Sequence, residues 1–256
     1  MSATTTELVR RWPDDEPTID ALIVEAPLWL RAEERPLGLL MRTPGHDREL
    51  AAGWLLGEGI IDDRADLAAL ELLPGDPDGA TIVARFTAGV EAHWRAAECA
   101  RERFSSSACG VCGRLTLAEL PPPRPAPMAL SPAWLSALPA ALQAAQELFA
   151  STGGCHAAAL VDPDGQIEVL REDVGRHNAV DKVLGWRLLD GRVPVDDRVL
   201  LVSSRAGYEV VQKAVVAGAG AVVAVGAASS LAVSLARQQN LALVGFLRAD
   251  RHTRYV

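Results

Sequence analysis

From residue 156 onward the chain alternates short apolar runs with stretches of helical character, and this alternation limits the possible folds more than any other feature. The runs at 156–161 (HAAALV), 166–170 (QIEVL), 198–203 (RVLLVS), 221–225 (AVVAV) and 241–247 (LALVGFL) have the length of buried strands. Asp162-Pro163-Asp164-Gly165 is turn chemistry between the first two. Helical stretches at about 178–189, 207–217 and 229–239 separate the others. Strands that alternate with helices need crossover connections. This predicts an α/β fold with a largely parallel sheet and helices on both faces.

The first half reads differently. Residues 20–31 (DALIVEAPLWLR) and 36–42 (PLGLLMR) suggest a strand pair, followed by the turn Thr43-Pro44-Gly45. Asp47 then opens a helix in which Leu50, Ala51, Trp54 and Leu55 share a face, and Gly57 and Gly59 stop it. Residues 80–87 (ATIVARFT) read as a further strand. Pro121–Pro127 (PPPRPAP) can be neither helix nor central strand. After it, Ser131-Pro132 starts a helix that runs to Ala150, with Pro139 as a point of kinking. The expected organisation is a flexible tail over 1–18, an N-terminal α+β domain over 19–120, a proline-rich linker over 121–132 and a C-terminal domain over 133–256.

Composition narrows the function classes. The 256 residues are 49% hydrophobic and 23% charged, which suits a packed globular chain, and the 5% aromatic share leaves the core to Ala, Val and Leu. A formal net charge of -8 argues against a nucleic-acid coat, since phosphate backbones need a basic surface. It does not exclude a small anion held by a few local arginines. No apolar run reaches the roughly 18–20 residues that span a bilayer, and the opening MSATTTELVRRWPDDEP lacks a signal-peptide core. The expectation is a cytoplasmic protein with no membrane partner.

Four cysteines do not make a disulfide scaffold in a chain of this size, which turns attention to the close pair Cys109 and Cys112. Two thiols at i and i+3 on a glycine- and serine-rich loop can reach one atom, or each other. A dithiol switch, half of a zinc site and a persulfide carrier all use that spacing. Zinc lacks a second matching pair among Cys99, Cys155, His93 and His156. A thioredoxin-like switch lacks a helix start in a βαβ unit.

Other constellations bear on a ligand. Arg171–Lys182 (REDVGRHNAVDK) packs charge at a helix entry, which is either a solvated cap or an anion site. In the second case helix amides with Arg176, His177 and Lys182 face phosphates, Asn178 lies in the same run, and Asp173 and Asp181 orient the cations. Ser151–His156 (STGGCH) reads as a connecting turn or a close backbone approach, with His156 as a satisfied core histidine in the plainer case. Arg205 follows a strand. Arg248, Arg251 and Arg254 follow the last one, at the edge where ligands of open α/β sheets gather.

Taken together, RTPGHDRELAAGWLLGEGI, SSSACGVCG, TGGCHAAAL, REDVGRHNAVDKVLG, SLAVSLA and LVGFLR, in this order, resemble the FdhD family, the sulfurtransferase accessory proteins of formate dehydrogenase. The resemblance implies a C-terminal three-layer α-β-α domain of cytidine-deaminase-like architecture beside a smaller α+β domain, in a homodimer. It implies a sulfurtransferase that takes sulfur from a cysteine desulfurase as a Cys109 persulfide, with Cys112 as its partner. The acceptor is the molybdenum bis(molybdopterin guanine dinucleotide) cofactor, bound as substrate, with formate dehydrogenase as client and no tightly held metal of the protein's own. The family's cofactor segment falls on Phe246, Leu247, Arg248, Ala249, Asp250 and Arg251. The alternative is a non-catalytic cofactor carrier or chaperone with a structural or zinc-binding cysteine pair. The chain departs from the family pattern at Ser204, at Ala227–Ser230, at Cys155 and in the tail ADRHTR.

Overall fold

A computed structural model describes residues 2–33, 35–76, 79–89, 120–195 and 197–256, and its architecture is mixed α/β. Cys109 and Cys112, with Cys99 and His93, lie outside the described residues.

The tail expected over residues 1–18 is instead part of a hairpin. Strand β1 (Thr4–Arg11) pairs antiparallel with β2 (Glu16–Ile23) in unbroken register, Leu8 opposite Ile19. Threonines and Val9 suit a pleated strand. The run 20–31 is divided at Val24-Glu25, with its second part forming β3 (Ala26–Ala32). With β4 (Arg35–Arg42), β5 (Leu67–Asp76) and β6 (Gly79–Phe86) it makes a sheet in the order β4-β3-β6-β5, in which β3 and β6 run parallel. Helix α1 (Asp47–Gly57) covers one side of this sheet, Leu50 and Ala51 packing with Leu28, Leu30 and Ile82.

The second half holds a six-stranded sheet in the order β12-β11-β10-β9-β7-β8: β7 (His156–Val161), β8 (Ile167–Asp173), β9 (Val199–Val202), β10 (Ala221–Ala224), β11 (Ala242–Gly245) and β12 (Thr253–Arg254). Only β9, β10 and β11 form the parallel block. β7 is antiparallel to both β8 and β9, and β12 to β11, so the sheet is mixed rather than largely parallel. The tight turn at 162–165 accounts for the β7–β8 pair, because a connection that short can only reverse the chain.

Helices lie on both faces. Helix α2 (Pro132–Ala145) sends Leu135, Leu138 and Leu142 onto Ala157, Ala159, Val161, Leu201 and Val223. The break after it falls at Gln146, before the short α3 (Glu147–Thr152), and not at Pro139. The opposite face carries α4 (Arg176–Leu189), α5 (Tyr208–Val216) and α6 (Ser230–Gln238) over Ala158, Leu160, Leu200, Val202, Val222 and Leu243. The strand alternation thus sorts its side chains into two apolar layers, each fully buried leucine contributing about 2 kcal/mol. No helix among the described residues is long and apolar enough to cross a membrane.

The core on the α4 side continues into the first half through Leu55, Leu56, Ile60 and Ile61, so packing does not stop at the proline run. α1 and α4 meet at backbone distance. A Cβ on Gly53 would lie 1.9 Å from the Asp181 carbonyl oxygen, and one on Gly185 would lie 1.8 Å from that of Glu49. The proline-rich segment itself is tied down: the Arg124 N–H donates to Gln239 O at 3.1 Å, and the Asn240 amide donates to Arg124 O at 2.7 Å.

Candidate functional site

The strand directions set where a ligand can sit. The carboxyl ends of β8, β9, β10 and β11 and the first residue of β7 share one edge of the six-stranded sheet. Arg176 enters α4 there, Arg205 follows β9, and Phe246–Arg251 follow β11. An open cleft of about 600 Å³ opens at this edge beneath α2 and α3, lined by Gln146, Cys155, His156, Ser203, Leu247 and Arg248.

Segment 246–251 is a tight turn over the strand ends. The Phe246 N–H, at a residue with φ of 52°, donates to Gly226 O at 2.9 Å, and the Arg248 N–H donates to Arg251 O at 2.8 Å. The Arg248 guanidinium donates to Val225 O and Leu247 O at 2.8 and 2.7 Å, which holds its head at the cleft. Leu247 is fully buried and backs the turn, whereas Phe246, Ala249, Asp250 and Arg251 are exposed. Arg205 lies close by: a Cβ on Gly226 would come within 2.9 Å of its backbone. Arg176 and Arg205 are exposed and have no partner among the described residues.

Three of the residues expected at an anion site are occupied by contacts within the protein. Lys182 is 1% exposed, and its ammonium donates to Asp173 Oδ2 at 2.7 Å, Thr43 O at 2.9 Å and Glu172 O at 3.3 Å. Three donors with three acceptors leave none for a phosphate. Asp181, on the buried side of α4, pairs with Lys213 of α5 at 2.6 Å, and burial pushes its carboxyl above the usual carboxylate range. The Asn178 amide donates to Met41 O at 2.7 Å and Asp173 Oδ1 at 3.0 Å. Asp173 also accepts from the Thr43 N–H, so this cluster joins the β4–α1 turn to the α4 entry. His177 is half-committed, its Nε2 lying 2.9 Å from Glu209 on α5.

Cys155 is chemically quiet. Its thiol donates to Glu172 Oε1 at 3.3 Å, and burial, reinforced by that carboxylate, pushes it up to about 12. Glu172 in turn accepts the Leu148 and Phe149 N–H groups at 2.8 Å each, which anchors the start of α3. His156 is not a satisfied core histidine: it is half-buried at the rim of the cleft, and its ring makes no hydrogen bond among the described residues. Burial, with Arg176 and then His177 nearby, holds its pKa below the ordinary imidazole value. The sequence signal for it was present, since His156 opens a strand whose neighbours end at the same edge.

A second cleft, of about 770 Å³, lies beside the start of α1. Its Arg42 pairs with Asp47 at 2.8 Å, and its Glu49 with Arg171 at 2.6 Å, so these charges are satisfied locally. No group of three or more His, Cys, Asp or Glu among the described residues is placed to hold a metal ion.

Residues 23–256 match the FdhD/NarQ family model. The chain belongs to the FdhD/NarQ family. It is 45% identical over 239 residues to the sulfur carrier protein FdhD of Mycolicibacterium paratuberculosis, covering 90% of this chain and 88% of the relative. With the protein of the same name from Streptomyces coelicolor it shares 42% over 240 residues, covering 90% and 85%. It also superposes on the crystal structure of a Desulfotalea psychrophila protein assigned as a formate dehydrogenase accessory protein, with TM-score 0.75, 26% identity and coverage of 99% and 96%. The FdhD/NarQ match takes in the cleft and both arginine-bearing loops, and begins at the last residue of the β1–β2 hairpin.

Proposed function

We propose that this FdhD/NarQ member is a sulfur carrier with sulfurtransferase activity that matures formate dehydrogenase. In this reading the Cys109 thiolate attacks the terminal sulfur of a cysteine desulfurase persulfide. The donor's S–S bond breaks, its cysteine leaves as a thiolate, and Cys109 holds the new persulfide. Cys112 assists delivery of that sulfur to the molybdenum bis(molybdopterin guanine dinucleotide) cofactor, the substrate held at the sheet edge.

The observation that carries the cofactor half is the pair of exposed arginines, Arg176 and Arg205, without a partner among the described residues, at the same sheet edge of an acidic chain where the cleft opens. Pyrophosphate oxygens are suitable partners for them, because guanidinium forks match phosphate geometry. Arg248 and the turn through Arg251 complete the proposed cradle. The names of the relatives and the Cys-Gly-Val-Cys tetrad support the sulfur half. The reading extends to a cytidine-deaminase-like second half and a cytoplasmic homodimer.

Mass spectrometry after incubation with a cysteine desulfurase and cysteine is the test. The wild-type chain gains one sulfur atom that reductant removes, and Cys109→Ala gains none. If the sulfur persists in the variant, the assignment to Cys109 fails. If Cys109→Ser still matures formate dehydrogenase, the chain is a cofactor carrier and not a sulfurtransferase.

A further inference from the structure

His156 presents an imidazole that no hydrogen bond among the described residues engages. Along β7 the alternation turns Ala157, Ala159 and Val161 toward α2, and Ala158 and Leu160 toward α4. By that alternation the His156 ring lies on the α4 side of the strand ends, at the rim of the cleft whose walls are α2 and α3, with Asp173 opposite it on β8. The charged and polar groups around it come from every neighbouring element. Arg176 and His177 stand on α4, Cys155 precedes it in the chain, Ser203 follows β9, and Arg248 follows β11. On β8, Glu172 is engaged by two amides and Cys155, and Asp173 is engaged by Lys182 and the Thr43 N–H.

Neither carboxylate is thus free to hold an imidazolium, while the Arg176 cation stands close by without a partner among the described residues. A half-buried ring with no hydrogen bond among the described residues, at the mouth of a cleft and hemmed by positive charge, lacks an anion. We infer that His156 is a phosphate-contacting residue of the cleft and gains a proton as a pyrophosphate-bearing ligand seats, so that binding takes up a proton. The inference rests on the reading that this edge holds a guanine dinucleotide.

The sign follows from the surroundings. In the free protein, burial and then the neighbouring cations keep the ring neutral to lower pH than an ordinary histidine. A bound pyrophosphate places negative charge beside it and favours the imidazolium. Between the two pKa values the complex holds a proton that the free protein lacks. Affinity therefore rises as pH falls through that window. Two other histidines stand near the edge, and each already has a partner: His177 on Glu209, and His252, whose Nε2 accepts from Arg254 Nε at 3.4 Å.

Diguanosine diphosphate is a suitable probe, because each of its bridging phosphates carries one ester and one anhydride link and keeps only a strongly acidic oxygen, which does not titrate near neutrality. Titration calorimetry at about pH 6.5, in two buffers of different ionisation enthalpy, reads the protons taken up per ligand bound. The full-length wild type takes up a fraction of one proton, and its affinity falls about tenfold for each pKa unit gained on binding as pH rises through the window. His156→Arg keeps the cation, binds without uptake and loses the pH dependence, while His156→Gln binds more weakly and also takes up none.

The His156 ring resonances of the wild type, assigned by through-bond correlation, report the same pKa with and without ligand, whether or not the variants fold. Proton uptake unchanged in His156→Gln, or a ring pKa that does not rise on binding, overturns the role of His156 and leaves the dinucleotide site standing. Absence of binding by the wild type overturns the dinucleotide reading, and this inference with it.

Discussion

Lys182 and Asp173 are 1% and 0% exposed, and each satisfies the other inside a cage of backbone groups. Removing one partner strands a buried charge, so Lys182→Met is expected to lower unfolding stability by about 3–5 kcal/mol in denaturant titration. Asp173→Asn combined with Lys182→Met should cost less than the two single changes added together. Glu49 gives the pH-dependent counterpart. Burial alone would raise its pKa, but hydrogen bonds from Arg171 and His46 outweigh that and hold it at about 2. The folded value lies below the ordinary 4.5, so this pair stabilises fully above that pH and loses its contribution as pH falls toward about 2. In Glu49→Gln the stability curve between those two values is expected to flatten. An acid limb unchanged by the substitution would show that the pair contributes nothing.

At the scale of elements, the contact between α1 and α4 is made by glycines. Gly53→Ala would place a methyl group 1.9 Å from the Asp181 carbonyl and push the two helices apart, at a cost of about 3 kcal/mol. Gly207→Ala, where nothing lies within 4 Å, should leave the melting temperature nearly unchanged. Both helices were legible from their apolar spacing and their flanking turns, but their contact was not. A glycine inside a helix reads locally as a weak point, and only the partner's backbone reveals the close approach. β5 escaped for a related reason: LAALELLPGD lacks the β-branched alternation of a strand and gains its conformation from pairing with β6. At the candidate site, the tail arginines are expected at a strand-end edge because they follow the last strand, and Arg176 at a helix entry. Phe246–Arg251 come from the family resemblance, and only the sheet order shows that these segments share one edge. Lys182 was misread because sequence shows that a cation is near a helix entry, and does not show that three acceptors surround it.

For the whole molecule, the apolar core runs from Ile60 and Ile61 under α1 through α4 to Leu243 in the far half. One transition is therefore expected in calorimetry, with near- and far-ultraviolet signals coincident, despite the proline run between the halves. Two separated transitions would show that the halves unfold independently. The α1–α4 contact has a mechanical consequence as well. Two helices touching backbone to backbone have no layer of side chains between them that can compress or change rotamer. Such a junction is expected to act as a strut, so that a displacement of the four-stranded sheet would move α4 as a body and carry with it the first turn, where Arg176 stands.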